Sequence, residues 1–147
     1  PADVAERLTL SRAREGGRLM GVGVDFAVST VVSGPFFDRG DAKVKRAIAG
    51  TTQDLVERGE QMVKRQLYPG HGHITGTLRR SISGHMTGPL SGIIATPVVY
   101  GAFIEGVSRR NQTTRFKGYA MFRRTAKALD KMVSPLFRVH FKRARLG

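Results

Sequence analysis

Between Val22 and Ser33 the even positions are Val22, Val24, Phe26, Val28, Thr30 and Val32, alternating with Gly23, Asp25, Ala27 and Ser29. That period of two predicts a long, half-buried strand, which Gly34-Pro35 ends. After Asp41 the period changes. Val44, Ile48, Thr51, Leu55, Met62 and Gln66 recur at helical spacing with Ala47, Val56 and Val63 beside them. This apolar stripe predicts a helix from Asp41, read as its N-cap, to about Leu67, where Tyr68-Pro69-Gly70 stops it. Gly50 and Gly59 each weaken that helix by about 1 kcal/mol relative to Ala. They are therefore read as points of close approach by another element.

The stretch from Ile74 to Glu105 predicts an antiparallel hairpin: a strand over Thr77–Met86, a turn-rich connection over Thr87–Gly92 and a partner strand over Ile93–Val99. Pro97 cannot donate to a ladder, which places the second strand at a sheet edge or Pro97 at a bulge, and an edge is a natural site for subunit pairing. Gly106–Gly118 reads as a polar loop, long for a compact domain and so either functional or mobile. From Tyr119 helical phase returns through Phe122, Ala126, Leu129, Val133, Leu136 or Phe137, and His140 or Phe141. Ser134-Pro135 interrupts this run, giving either one kinked helix or two abutting helices with Pro135 in a first turn. Pro1–Met20 reads as an N-terminal arm with a weak helix over Asp3–Arg14. The expected fold is α+β: an antiparallel β-sheet packed against a long amphipathic helix, with a C-terminal kinked helix, in one domain over residues 21–147.

At 147 residues the chain suits a single core. It contains no apolar run of membrane-spanning length and no signal-peptide pattern at its start, so a soluble protein, intracellular when made, is expected. Without cysteine there is no disulfide framework, thiolate metal site or Cys nucleophile, and assembly must be non-covalent. The net charge of +14 is unevenly placed: residues 106–147 carry twelve basic groups against one acidic group, or +11 of the total. Such an excess either meets something anionic or keeps a solvated helix soluble. The cations opposite the apolar phase, Arg123, Arg124, Lys127, Lys131, Arg138, Lys142, Arg143 and Arg145, are the candidate contacts to DNA or an acidic partner.

Catalytic motifs are missing: there is no Walker loop, no Gly-x-Gly-x-x-Gly after a strand, no His-Glu-x-x-His and no Gly-x-Ser-x-Gly. After Glu60 the only acidic residues are Glu105 and Asp130, so paired carboxylates cannot form in the second half. No enzymatic activity and no cofactor are expected. His71-Gly72-His73 has neither cysteine nor a nearby carboxylate to complete a zinc site and is read as an exposed polar loop. Arg39-Gly40-Asp41 is an adhesion tripeptide common by chance, with Asp41 better explained as a cap.

Taken in order, several short motifs resemble a known family. Pro69 precedes Thr75, Gly76, Leu78, Arg79, Ser81 and Ile82; then come Tyr100, Phe103, Ile104 and Glu105, and then Phe122 and Ala126. This order is similar to that of the small tail-component proteins of long-tailed bacteriophages, called tail-completion, neck or head–tail joining proteins, a group that includes minor tail protein Z of lambdoid phages. The likeness spans about Val22 to Phe141 and departs at Gly106, where an apolar residue usually intervenes, and at Thr125, where proline is frequent. The resemblance implies a structural virion protein of the head–tail junction. It would be assembled in the host cytoplasm as a homo-oligomeric ring, by family likeness a hexamer, touching other neck and tail proteins and DNA in the channel, with no membrane partner. Pro97, Tyr100, Glu105, Arg109, Arg110, Arg115 and Lys117 are the candidate subunit or partner contacts. The alternative is a basic nucleic-acid-binding module whose cations meet phosphates. Few exposed aromatics appear among those cations, because Phe122, Phe137 and Phe141 fall in the apolar phase.

Overall fold

The computed structural model describes residues 5–8, 14–15, 24–33, 42–73 and 76–146, with the side chains of residues 5–33, 72, 73 and 146 left aside. In order the elements are β1 (Ala5–Leu8), β2 (Arg14–Glu15), β3 (Val24–Ser33), α1 (Ala42–Arg65), β4 (Tyr68–Pro69), β5 (Gly72–His73), α2 (Thr77–Ser81), β6 (Ser83–Gly88), β7 (Ser91–Thr96), α3 (Gly101–Glu105), α4 (Arg110–Thr113), α5 (Met121–Asp130) and α6 (Val133–Leu146). The main sheet runs β1-β3-β7-β6 with β2 also paired to β3, and every one of these pairings is antiparallel. The fold is α+β, with α1 packed on the sheet and α5 and α6 packed on α1.

Helix α1 is the spine of the core because its stripe is buried along its whole length. Val44, Ala47 and Ile48 meet Phe137 and Ala144 of α6, while Leu55, Val56 and Val63 meet Ile94, Met121, Phe122, Leu129 and Val133. Full burial of side chains such as Leu55 and Leu129 stabilises by about 1.5–3 kcal/mol each. Thr51 and Thr52 share the buried face, and their hydroxyls donate to Ala47 O at 2.7 Å and Ile48 O at 2.9 Å. Helix α6 runs antiparallel to α1: Met132, just before α6, lies beside Met62 and Arg65 near the end of α1, while His140 lies against Gly50 with its Nε2 2.9 Å from Asp54 Oδ2.

The glycines of α1 serve close approach, as expected. A Cβ on Gly50 would lie 2.5 Å from His140 Nδ1, and one on Gly59 would collide with Ile94 Cδ1 of β7 and Leu129 Cδ1 of α5. Helix, sheet and α5 therefore converge at Gly59. Nearby, Glu60 Oε2 accepts the Gly84 N–H of β6 at 2.9 Å, while its Oε1 pairs with Lys64. Burial alone raises the Glu60 pKa, but the hydrogen bonds from Lys64 and Gly84 and the Lys64 charge outweigh it, leaving the carboxyl below its ordinary value.

Four expectations need correction. The stretch Thr77–Ser81 is helix, not strand: Leu78 and Ile82 are both buried at i, i+4 spacing, and the Ser81 hydroxyl donates to Leu78 O at 2.7 Å. The hairpin is thus β6–β7, closed tightly at Pro89-Leu90, with an irregularity between Met86 and Gly88. Pro97 follows the end of β7, and β7 lies between β3 and β6, so its missing N–H ends the strand and marks no edge. The segment Ala5–Leu8 pairs with β3 as a strand where a helix was expected. His71 is half-buried and stacked on aromatic rings, so it does not sit in an exposed polar loop.

The C-terminal run resolves into α5 and α6, meeting at Lys131-Met132, with Pro135 in the first turn of α6. Asp41, with its predicted cap, and the Arg39-Gly40-Asp41 tripeptide lie outside the described residues. Among the described residues no helix is long and apolar enough to cross a membrane.

Candidate functional site

Helix α5 begins without a capping side chain of its own. Its N-cap residue is Ala120, in the left-handed region at φ 53°, and its first turn carries no acidic residue. The unpaired N–H groups of a helix start need acceptors, and a negative charge there is favoured by the helix dipole. Glu105 meets both needs from the end of α3. Its Oε2 accepts the Phe122 N–H at 2.8 Å and its Oε1 accepts the Arg123 N–H at 3.0 Å. Arg123 then folds back, donating Nε–H to Oε1 at 3.2 Å and Nη2–H to the Glu105 carbonyl at 2.9 Å. Glu105 is 0% exposed, so this carboxylate is an internal cap. The expectation that it touches a partner is corrected: its side chain is enclosed by the elements it joins.

The same cap closes the loop between α3 and α5. Tyr119 N–H donates to Ile104 O at 2.7 Å and Ala120 N–H to Glu105 O at 3.1 Å. The backbones at Gly106 (φ 98°) and Gly118 (φ 90°) touch directly: a Cβ on either would enter the other strand of the closure. Only glycine fits such a conformation and approach. Within the loop the buried Asn111 donates to Phe103 O at 3.0 Å and Phe116 O at 3.1 Å, and accepts the Ser108 N–H at 3.0 Å. Lys117 Nζ donates to Asn111 O at 2.7 Å at the end of α4. Of the two readings of this stretch, function or mobility, the hydrogen bonding describes a pinned loop with a short helix in it.

Across its surface runs a row of rings. Tyr68 stacks on His71 with centroids 4.9 Å apart, His71 meets Tyr119 at 3.8 Å, Tyr119 meets Phe116 at 5.0 Å and Phe116 meets Phe103 at 5.1 Å. The Arg110 guanidinium lies 5.6 Å from the Phe103 centroid. His71 is held by its Nδ1, 2.6 Å from Gln66 O. In the turn before α3, Val99 is 65% exposed and Tyr100 46% exposed, and Tyr68 at the far end of the row is 54% exposed. Aromatic side chains and arginine set close together are the residue types that dominate protein interfaces.

The candidate contact residues therefore divide. Tyr100, Arg109, Arg110 and Arg115 are exposed around the ring row, and Pro97 is exposed just before Tyr100. Lys117 is exposed but tethered by its Nζ to the end of α4, and Glu105 is inside. The second set, Arg123, Arg124, Lys127 and Lys131 on and after α5 and Arg138, Lys142, Arg143 and Arg145 on α6, is exposed throughout. As expected from phase, Phe122 and Phe137 are buried. The ring row is not legible in the sequence, because its members come from three separate stretches. The available signal was local: Phe103, Phe116 and Tyr119 flank a loop rich in arginine. Comparison with protein-family models, with curated proteins and with solved structures finds no match.

Proposed function

We propose that this protein is a structural component of the head–tail junction of a long-tailed bacteriophage, a neck or tail-completion protein that assembles as a ring and joins or completes the tail. The observation that supports this reading most is the closure at Glu105. Two of the motifs that carry the family resemblance, Tyr100-x-x-Phe-Ile-Glu105 and the helix start at Phe122, are joined through one buried carboxylate. The joined segments present a fixed loop that exposes Arg109, Arg110 and Arg115, with the Arg110 guanidinium over the half-buried Phe103 ring. Such a surface suits repeated protein contact, where a preorganised loop loses little entropy on docking. Glu105 already accepts three hydrogen bonds from the polypeptide around it and serves as a structural group.

The contact set of this reading is Tyr100, Arg109, Arg110 and Arg115, with Val99 as an apolar neighbour. Reversal of Arg109, Arg110 and Arg115 to Glu tests it, because these side chains are exposed and contribute little to the core. The reversed protein is expected to keep its far-ultraviolet spectrum and thermal transition while failing to form rings or enter particles. Normal assembly of the reversed protein overturns the proposal.

A further inference from the structure

The two cationic surfaces of this protein differ in what lies between the charges. At the loop, the Arg110 guanidinium lies over the Phe103 ring, and Val99 and Tyr100, in the turn before α3, are exposed. On α6, Arg138, Lys142 and Arg145 follow one another at i, i+4 and i+7 and line, with Phe141, an open concavity of about 370 Å³. Among the described residues no carboxylate pairs with any of the three. We propose that this face of α6 binds the phosphodiester backbone of a nucleic-acid duplex without reading its sequence.

Three long-stemmed cations surround one half-buried ring here, Phe141, with half-exposed Val139 beside Arg138, and phosphates need only cations on long stems. Base stacking needs a free aromatic face, yet Phe137 is buried and Phe141 has the Arg145 guanidinium 5.9 Å from its centroid. The backbone of a duplex, with its bases already paired, suits the site better than an unpaired strand. Finally, the helix dipole accounts for cations in the last turn, Arg143 and Arg145, but not for Arg138 or Lys142, which lie before it. The stripe from Arg138 to Arg145 is about 10 Å long at 1.5 Å per residue, and the reach of the side chains extends it over several successive phosphates. This binding does not depend on the ring reading, because a single protomer carries the whole stripe.

The test is fluorescence anisotropy of a labelled duplex of about 20 base pairs with the full chain, titrated between about 50 and 200 mM salt. The logarithm of the affinity is expected to fall linearly with the logarithm of salt and to be indifferent to base sequence. Neutralising Arg138, Lys142 and Arg145 together to Gln is expected to flatten the slope by about 2.7, at roughly 0.9 per phosphate contact. The matched neutralisation of Arg109, Arg110 and Arg115 should leave the slope in place, and Arg138→Lys with Arg145→Lys should retain it, since a point charge suffices. No binding at about 50 mM salt overturns the proposal, as does equal flattening by both triple variants. Tighter binding of single-stranded oligo(dT), or of poly-glutamate at matched charge, overturns it in favour of a stacking site or an acidic protein partner.

Discussion

Glu105 and Phe122, 17 positions apart, are joined by a hydrogen bond of 2.8 Å from the Phe122 N–H to a fully buried carboxylate oxygen. The end of one helix thereby caps the start of another, and the loop between them closes into a fixed surface. Replacing Glu105 by Ala leaves the Phe122 and Arg123 N–H groups without their acceptor. The expected loss is about 2–4 kcal/mol of stability, read from chemical denaturation. Glu105→Gln keeps one acceptor oxygen and should lose less. Equal stability of Ala, Gln and Glu at this position contradicts the capping role.

The closure also depends on Gly106 and Gly118. Gly106→Ala and Gly118→Ala each force a side chain into a left-handed conformation, at about 1–2 kcal/mol, and into the facing backbone as well. Gly70 is the control: its φ is 87°, but nothing lies within 4 Å of its Cβ position. Gly70→Ala should show only the conformational cost, and thermal melts of the three variants should rank it as the mildest.

At Gly59 packing and helix propensity oppose each other. Ala at this position improves helix propensity by about 1 kcal/mol. Its methyl group meets Ile94 and Leu129, and overpacking costs typically about 1–3 kcal/mol. Net destabilisation is expected, and a stabilised Gly59→Ala protein would show that the sheet and α5 sit farther from α1 than described.

The Glu60 carboxyl supplies a pH dependence of known sign. Its folded-state pKa lies below the ordinary value of 4.5, so its contribution is fully present above about 4.5 and is lost as pH falls through the folded value. Glu60→Gln should therefore flatten the stability profile below about pH 4.5 while leaving its shape near neutrality unchanged. Denaturation curves across that range check this, and an unchanged acid limb contradicts it.

The parts of this fold legible in the sequence are those with many repeats of one period. Helix α1 has 24 residues and shows its stripe several times over, so its extent and its close-approach glycines could be read directly. Helix α2 has five residues, and Leu78-x-x-x-Ile82 is a single helical spacing that an alternating pattern imitates. Pro97 was ambiguous because a proline that ends a strand and one that marks an edge leave the same local trace. The Glu105 cap was hidden for a different reason: its acceptor and donors are remote in the chain. A clue existed in α5, which starts after Tyr119-Ala120 with no Ser, Thr, Asp or Asn to cap it. A helix start so bare requires an acceptor from elsewhere, and Glu105 is the nearest carboxylate before it in the sequence.

The central claim, that this protein builds a ring at a phage head–tail junction, is tested most directly by the mass of the purified full chain over a range of concentrations, alongside the Arg109, Arg110 and Arg115 reversal. One closed species at a fixed multiple of the protomer mass is expected, replaced by folded monomer when those three arginines become glutamate. A wild-type protein that stays monomeric at every concentration, or a ring that survives the reversal, contradicts it.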